Sequence, residues 1–374
     1  MDLLQNAIGF PDHGPLCKGE VVWNVLLHAA STTSSIHQVC HLLQKAPSDQ
    51  AIRNALTDRW ASVGQLVEDL NNALACNLPK RLRRREQIVA IDLTKIPFYG
   101  KRGRSSPYLF HGLSEQGTSY FYPYATAYVV LRGHRFTVAF CPVRRDQSQI
   151  EVLGFLLNQL ARIGIRIQVL LLDRAFFYVE VLDWLQQNNV PFLMPVVYRG
   201  HKPAQPKKSK KLWQFLSWKK SGWAEYCCES RKHRKKVQLP LCIFCPDPTQ
   251  RRRRRKKPLV YAYSGYRPRC PAAARQLYRS RFGIETSYRQ MNQCRIRTSS
   301  RSPLLRTLCV GLALLLRNVW VWLHCCCLSV PRGCGLELHL DRLRFRMLLS
   351  WLRGQIEKQL GLKLVVPSQL PMPP

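Results

Sequence analysis

Two short apolar segments, each followed directly by an aspartate, constrain the fold of this chain most. Residues 88–91 (Ile-Val-Ala-Ile) precede Asp92, and residues 169–172 (Val-Leu-Leu-Leu) precede Asp173. Segments this short and this apolar are typical of buried strands. Open α/β sheets place their active sites at the carboxyl ends of such strands, which favours a catalytic or metal-binding role for both aspartates. Taken singly, either aspartate could instead cap the next turn.

The pattern after residue 86 predicts an α/β fold. Segments rich in β-branched and aromatic residues predict three consecutive strands, and leucine spacing then predicts helices that alternate with strands. The predicted strands are 87–93, 120–131, 134–143, 165–172 and 191–197, and the predicted helices are 150–163 and 178–187. The order β-β-β-α-β-α-β indicates a sheet with helices on its faces. Residues 259–263 predict one more strand, and residues 272–293 predict one long helix.

The N-terminal part of the chain has helical periodicity. It predicts a helical domain over residues 1–80, in which Ser48 caps a helix. Residues 35–56 fit two structures, a helix-turn-helix that binds DNA or a plain helical hairpin with a Pro-Ser turn. In the first structure, Gln50, Arg53 and Asn54 would face the DNA.

The charge of the chain indicates a nucleic-acid partner. Lysine and arginine number 58 against 22 acidic residues, which gives a formal net charge of +36. A field of this sign attracts polyanions, and nucleic acid is the expected partner. A ribosomal or membrane-surface protein could carry the same charge but would need no carboxylates at strand ends.

Basic residues are dense at 199–257, where the composition shifts to lysine, arginine, proline and tryptophan. This segment is predicted to be a basic, strand-rich insertion domain, with strands near 223–228 and 237–244. Its runs Lys207–Lys211 and Arg251–Lys257 are expected to contact phosphates without reading sequence.

Three features bear on where the protein acts. The first ten residues lack a basic region followed by an apolar core, so no secretory signal is expected. The 15 cysteines, with adjacent ones at 227–228 and 325–327, are typical of reduced thiols in a cytosolic protein. The apolar run 304–330 contains Arg306 and Arg317 and is expected to form a buried helix pair, not a membrane span. We therefore predict a cytoplasmic protein.

Cys242 and Cys245 have the spacing of zinc ligands, with Cys227, Cys228 and His233 before them. However, residues 239–246 have the pattern of an apolar strand, which would point the two cysteines in different directions. Zinc is therefore not expected.

A third carboxylate is expected beside the two aspartates, and Glu285 is the candidate. It lies in Tyr278-Arg279-Ser280-Arg281-Phe282-Gly283-Ile284-Glu285, within a basic helix, and no other acidic residue lies between Asp247 and Glu285. By itself Glu285 could also be the acid of a surface ion pair, since Arg281 and Arg289 lie four positions away on either side.

The three segments together resemble a known family. Ile91-Asp92-Leu93-Thr94, Leu172-Asp173-Arg174-Ala175-Phe176-Phe177 and Tyr278-x-x-Arg281-x-x-x-Glu285 are similar to motifs of the DDE-type insertion-sequence transposases, which have an RNase H-like catalytic core. The similarity is to the Tyr-x-x-Arg-x-x-x-Glu group with an insertion domain between the second aspartate and the glutamate, and it covers Gln87 to about Asn318. It departs at Asn292, where family members usually have a lysine. Arg289 or Arg295 could supply the missing contact with the terminal phosphate.

The resemblance implies roles for the site residues. Asp92, Asp173 and Glu285 would hold two divalent metal ions, Mg²⁺ with Mn²⁺ as a substitute, and Asp92 would bridge both. Tyr278 and Arg281 would hold the backbone phosphate beside the scissile bond. One tryptophan of the insertion would stack on a base flipped out at the transposon end, unless all of them only form the small core of the insertion. The tryptophans are Trp213, Trp218 and Trp223.

The predicted fold is an α/β protein with an RNase H-like mixed sheet flanked by helices. The predicted domains are a helical domain at 1–80, a catalytic core at 86–198 and 258–325, the insertion domain at 199–257, and a C-terminal helical segment with a disordered Pro-rich tail at 326–374. The resemblance implies cut-and-paste transposition by a homodimer in its synaptic complex, with double-stranded DNA, both transposon ends and target, as the partner. It also implies a nucleoid-associated protein of a prokaryotic-type cell. Two alternatives stay open: an RNase H-like nuclease or resolvase without strand transfer, and a catalytically decayed DNA-binding remnant.

Overall fold

The computed structural model describes residues 2–100, 106–201, 203–205, 211–230, 234–246, 257–332, 335–337 and 339–363. The chain divides into a helical unit and a sheet unit. The helical unit comprises Met1–Asn77, Phe98–Ser106 and Tyr288–Pro374, and the sheet unit comprises Leu78–Pro97 and Pro107–Ser287. His233, most of the two basic runs of the insertion and the Pro-rich tail lie outside the described residues, so the expectations for them stay predictions.

A nine-stranded sheet forms the centre of the sheet unit. Its strands are β1 (Gln87–Pro97), β2 (Phe110–Glu115), β3 (Thr118–Leu131), β4 (His134–Pro142), β5 (Ile167–Leu172), β6 (Phe192–Pro195), β7 (Gly222–Ser230), β8 (Lys235–Phe244) and β9 (Leu259–Ser264). Their order is β2-β3-β1-β5-β6-β9-β8-β7, with β4 also paired to β3. The pairs β1–β5 and β5–β6 are parallel and the others are antiparallel, so the sheet is mixed.

Helices accompany the strands of this unit. They are α6 (Arg81–Arg84), α7 (Gln149–Arg162), α8 (Val179–Gln187), α9 (Pro271–Ser280) and α10 (Gly283–Asn292), of which α10 belongs to the sheet unit up to Ser287. A capping box of Ser148 and Glu151 starts α7, whose leucine-rich face is buried as the spacing predicted. The predicted fold class, a mixed sheet flanked by helices, is confirmed.

Three features of the sheet unit differ from the sequence-based expectation. Strand β2 was not predicted, because it carries a polar, almost wholly exposed sequence without apolar alternation. The predicted helix over 272–293 is two helices, α9 and α10, separated at Arg281–Phe282. The strands of the predicted insertion domain, β7 and β8, pair with each other and through β9 with β6, so they continue the central sheet.

The helical unit contains the remaining helices. They are α1 (Asp2–Ala7), α2 (Gly19–Thr32), α3 (Ile36–Leu42), α4 (Asp49–Arg59), α5 (Val63–Cys76), α11 (Pro303–Leu323) and α12 (Phe345–Leu360), with a short hairpin of β10 (Val330–Arg332) and β11 (Gly335–Glu337). Ser48 caps α4 as predicted, since its hydroxyl accepts a hydrogen bond from the Ala51 N–H at 3.2 Å. On α4, Gln50 and Asn54 are exposed and hydrogen-bonded to each other at 2.8 Å.

The long apolar run at 304–330 forms one helix, not the predicted pair. Helix α11 continues into a π-helical turn at His324–Leu328. By length and composition Pro303–Leu328 is the one helix of the described residues that could cross a membrane, but 89% of its apolar window is buried within the protein. It packs mainly on α5, and also on α2, in the helical unit. A helix that is apolar on all sides is typical of the interior of a helical core.

Candidate active site

The sheet places the two aspartates side by side. Strand β1 runs parallel to β5, and their pairing ends at Ile91 and Leu172, so Asp92 and Asp173 are the next residues on neighbouring strands. Residues 89–91 and 169–172, which directly precede the two aspartates, are fully buried, which fixes both strand ends in the core. The side chain of Asp92 is 14% exposed and that of Asp173 is 32% exposed. The predicted juxtaposition of Asp92 and Asp173 is therefore present.

Strand β1 extends beyond Asp92 to Pro97, further than the predicted strand. Asp92 is therefore held on one side by antiparallel pairing of β1 with β3, opposite Thr126. One of its carboxylate oxygens accepts a hydrogen bond from the Leu93 N–H at 3.0 Å. Asp173 precedes a single 3₁₀ turn, Arg174–Phe176, but its side chain does not cap that turn. The capping alternative therefore does not account for Asp173.

Arg281 contacts both aspartates. Its Nη1 lies 3.3 Å from Asp92 Oδ2, and its Nη2 lies 3.4 Å from Asp173 Oδ1. The guanidinium carbon also lies 5.3 Å from the ring centre of Tyr278 and 5.4 Å from that of Phe282. Arg281 itself is only 7% exposed. The two carboxylates thus face one buried cation.

Burial dominates the electrostatics of Asp92. It raises the pKa of this carboxyl to about 6, against the opposing effects of Arg281 and the Leu93 N–H. The negative charges of Asp173 and Glu285 raise the same pKa further. Asp173 and Glu285 therefore both act on Asp92 through their charges, and the ionised form of the buried Asp92 needs a neighbouring cation.

Glu285 lies in the first turn of α10 and is exposed. Within the described residues it forms no ion pair, so the surface Arg–Glu pair that its sequence neighbours allowed is not present. Among the described residues no three acids, cysteines or histidines lie close enough together to hold a metal ion. The structure thus gathers Asp92 and Asp173 around one cation, and Glu285 acts on Asp92 through its charge without contacting that cation.

Tyr278 supports Arg281 from the end of α9. It is 5% exposed, its ring centre lies 5.3 Å from that of Tyr261 on β9, and burial raises its pKa. The phenol therefore stays protonated at neutral pH. Tyr278 therefore packs between Tyr261 and Arg281, a structural role that the sequence motif alone did not indicate.

A residue distant in sequence contacts the turn between α9 and α10. Arg135 at the start of β4 donates from Nη2 to the Ser280 carbonyl oxygen at 3.4 Å. Its guanidinium lies against Gly283, where an added Cβ would come within 1.7 Å of Arg135 Cζ. Sequence reasoning missed Arg135, and only Gly283 inside a helical pattern could have signalled a close approach there.

The remaining predicted DNA-binding residues lie in two places. Arg289 is exposed on α10, one turn after Glu285, and Arg295 donates from Nε to Asn292 Oδ1 at 3.3 Å in the helical unit. Each insertion tryptophan is half-buried and packs on another aromatic ring. The ring-centre distances are 5.2 Å for Trp213–Tyr198, 5.6 Å for Trp218–Phe215 and 5.5 Å for Trp223–Tyr263.

The candidate zinc ligands lie on or beside β8 and β7. Cys242 is fully buried within β8, opposite Trp223, whereas Cys245 follows the strand and donates from Sγ to the Trp218 carbonyl oxygen at 3.5 Å. Burial raises the pKa of Cys242 to about 12, which disfavours the thiolate that zinc needs.

Comparison with known proteins identifies the family. The model of a family described as "Transposase DDE domain" matches residues 83–319, more than half of the chain and all three acids. The chain belongs to the DDE transposase family. A cryo-EM structure of the piggyBac transposase synaptic complex with hairpin DNA is similar in fold, with a TM-score of 0.52 and 12% sequence identity over 95% of this chain and 75% of that chain. A search of curated proteins finds no match.

Members of the DDE transposase family generally use a divalent metal ion. The donor set fits such an ion, because carboxylate oxygens are the ligands of hard cations and two of them already share the cation Arg281. The burial of Asp92 adds to the fit, because a buried carboxylate is poorly hydrated and its ionised form is stabilised by a neighbouring cation.

Proposed function

We propose that this DDE transposase cuts DNA at the ends of an insertion sequence and joins the released 3′-OH ends to target DNA, a cut-and-paste reaction. The observation that carries the proposal is the pair Asp92 and Asp173, held at neighbouring strand ends and facing one buried cation. The order of these acids and of Glu285 within the family match supports it. The same evidence supports an RNase H-like core for the sheet unit.

In this proposal Asp92, Asp173 and Glu285 hold Mg²⁺, for which Mn²⁺ can substitute. Two such ions would activate the attacking oxygen and stabilise the leaving oxygen in an in-line displacement. Glu285 is exposed on the first turn of α10, so its carboxylate is free to join the two aspartates when DNA and cation are present. The strand-borne aspartates provide the fixed part of the site.

The other residues of the motif bind the DNA backbone. Arg281 has two Nη groups suited to a phosphate, and Tyr278 orients it through ring contact. Arg289 and Arg295 are proposed to take the place of the family lysine that Asn292 replaces. The three insertion tryptophans, Trp213, Trp218 and Trp223, are half-buried. Each is therefore partly exposed, and a flipped base could reach it.

The partner we propose is double-stranded DNA, both transposon ends and target. The net charge of +36 supports this partner. Two ends must be brought together before joining, so we propose a homodimer in the synaptic complex; the similar piggyBac structure is itself a synaptic complex with hairpin DNA. We also propose that α3 and α4 form a DNA-binding helix-turn-helix and that the protein acts in the cytoplasm at the nucleoid of a prokaryotic-type cell.

The test is a cleavage and strand-transfer assay on labelled DNA that carries the inverted repeats flanking the gene. Asp92→Asn is expected to lower Mg²⁺-dependent cleavage by more than about 100-fold, because even groups that only support a metal ligand contribute 10–100-fold. DNA binding should persist. The matched control is Asp183→Asn, which removes an acid of the same unit whose partner is Lys235 at 2.6 Å.

The products decide between the functions. Joined products from the wild type support transposition, whereas cleavage without joining would instead indicate a nuclease or resolvase. A wild-type protein that binds the ends but cleaves nothing would indicate a decayed remnant. Unchanged cleavage by Asp92→Asn would show that the site is elsewhere.

A further inference from the structure

Arg281 occupies the position of a cation between two carboxylates of the candidate site. Nη1 faces Asp92 at 3.3 Å and Nη2 faces Asp173 at 3.4 Å, so the guanidinium divides its two ends between two acids. Its third nitrogen, Nε, is buried and has no hydrogen-bond partner among the described residues. A group that is 93% buried with one donor unused is not fully satisfied by these contacts.

The two contacts are long for charge-assisted hydrogen bonds, which are usually about 2.7–2.9 Å between nitrogen and oxygen. Arg281 also does not bind either carboxylate in a bidentate way. Bidentate pairing with a single carboxylate is the arrangement that gives arginine its strongest ion pairs. The pairing therefore neutralises the two acids without the bidentate geometry of arginine's strongest ion pairs. A divalent cation would compete for the same oxygens with twice the charge.

We propose that Arg281 is a positioning residue, a stand-in cation that keeps Asp92 and Asp173 facing one point before metal binds and is displaced when a divalent cation binds. This inference rests on the proposed function, because it assumes that the metal ion binds at these acids. Displacement releases a guanidinium whose donors, including the buried Nε, are then available to a DNA phosphate. The rings of Tyr278 and Phe282 flank it in either role.

The competition has a measurable consequence for the free protein. If Arg281 must leave before a cation binds, only molecules in which Arg281 no longer bridges the two acids can bind metal. The apparent metal affinity is then the intrinsic affinity multiplied by the fraction of such molecules. Removing the arginine should therefore tighten metal binding, although the same change leaves the two acids without their counter-ion. A residue with a merely structural role would weaken metal binding or leave it unchanged.

The experiment is a titration of the full chain with Mn²⁺ in the absence of DNA, with free Mn²⁺ measured by electron paramagnetic resonance. The pH is set about two units above the pKa of Asp92, so that this carboxyl is ionised in the wild type. We expect Arg281→Gln to bind Mn²⁺ at least about fivefold more tightly than the wild type. The matched control is Arg279→Gln, which removes the same charge from an exposed position of α9 and should leave the affinity unchanged.

Arg281→Lys separates the effect of bridging both acids from the effect of positive charge alone. Lysine keeps the charge but has no fork that can face two carboxylates at once, so we expect its Mn²⁺ affinity to rise as well. An affinity equal to the wild type in Arg281→Lys would mean that only net charge matters and would overturn the proposal. This variant also decides the matter if Arg281→Gln does not fold, which melting curves without metal would show.

Asp92→Asn distinguishes failure of the inference from failure of the proposed metal site. If Asp92→Asn loses Mn²⁺ binding while both Arg281 variants bind no more tightly than the wild type, the site is correct and the stand-in role is wrong. If Asp92→Asn binds Mn²⁺ as tightly as the wild type, the metal does not bind at these acids, and both proposals fail.

Discussion

The candidate site is built from two halves that are held in different ways. The strand half, Asp92 and Asp173, follows fully buried segments of β1 and β5, whose backbones are hydrogen-bonded to neighbouring strands. The helix half, Tyr278 to Glu285, lies across the break between α9 and α10 and is held by side-chain contacts, among them Arg135 and Tyr261. The strand half is thus fixed by the core of the sheet, and the helix half by a few contacts at its edge.

The largest effect is expected where the strand half meets the core. Leu171 in β5 is fully buried two residues before Asp173, so Leu171→Ala is expected to lower the free energy of unfolding by about 2–5 kcal/mol. Urea denaturation measures this loss. The matched control is Leu259→Ala on β9, where the leucine is 40% exposed and the loss should be much smaller. Equal losses for the two variants would contradict a strand half fixed by core packing.

The burial of Asp92 in the strand half makes the stability of the protein depend on pH. The pKa of Asp92 in the folded, metal-free protein is about 6, above the unfolded value of about 3.9, so the folded state binds its proton more tightly. The bound proton therefore stabilises the folded state at low pH, and this stabilisation is lost as the pH rises from about 4 to about 6. At neutral pH the buried charge is a net cost to stability.

The comparison with Asp92→Asn isolates this contribution, because the amide does not titrate. The free energy of unfolding of the wild type relative to Asp92→Asn is expected to fall by up to about 3 kcal/mol between about pH 4 and about pH 7. Chelator-treated protein and denaturant titrations across that range provide the measurement. A difference that stays constant with pH would show that Asp92 is not buried in the way the sheet places it.

The strand half could be predicted from the sequence, because its structure is local. The apolar segments before Asp92 and Asp173 are short, and their burial follows from their composition, so the strand ends and the acids on them could be placed. The parallel pairing of β1 and β5 then brings the acids together, as the rule for open α/β sheets predicts. The added length of β1 and the exposed β2 were missed, because polar and mixed residues there carry no clear strand period.

The helix half could be predicted only as a motif. The residues from Ala272 to Gln293 keep a helical pattern, and one glycine within it is tolerated by many helices, so the break at Arg281–Phe282 was not visible. The residue that contacts the break, Arg135, is 145 positions from Ser280 in sequence. Contacts of that separation leave no periodic signal. For the same reason, the position of Arg281 between the two acids could not be predicted.

The smallest expected effect tests whether Arg135 holds the helix half. In Gly283→Ala the new methyl group would come within 1.7 Å of Arg135 Cζ, so the flexible arginine must move and its hydrogen bond to Ser280 is lost. Because one hydrogen bond is exchanged for another with water, the expected loss of unfolding free energy is about 1 kcal/mol. Gly354→Ala on α12, where nothing lies within 4 Å, is the control and should instead stabilise the protein by up to about 1 kcal/mol.

A double-mutant cycle identifies the contact. In an Arg135→Ala background the guanidinium is already gone, so Gly283→Ala should cost less there, with a coupling of at least about 0.5 kcal/mol. If Gly283→Ala costs the same in both backgrounds, Arg135 does not hold the turn, and the helix half depends on Tyr278 and Tyr261 instead. If the coupling is present and Mg²⁺-dependent cleavage falls together with it, the sheet unit positions Arg281 through a residue of β4 that lies outside the motif.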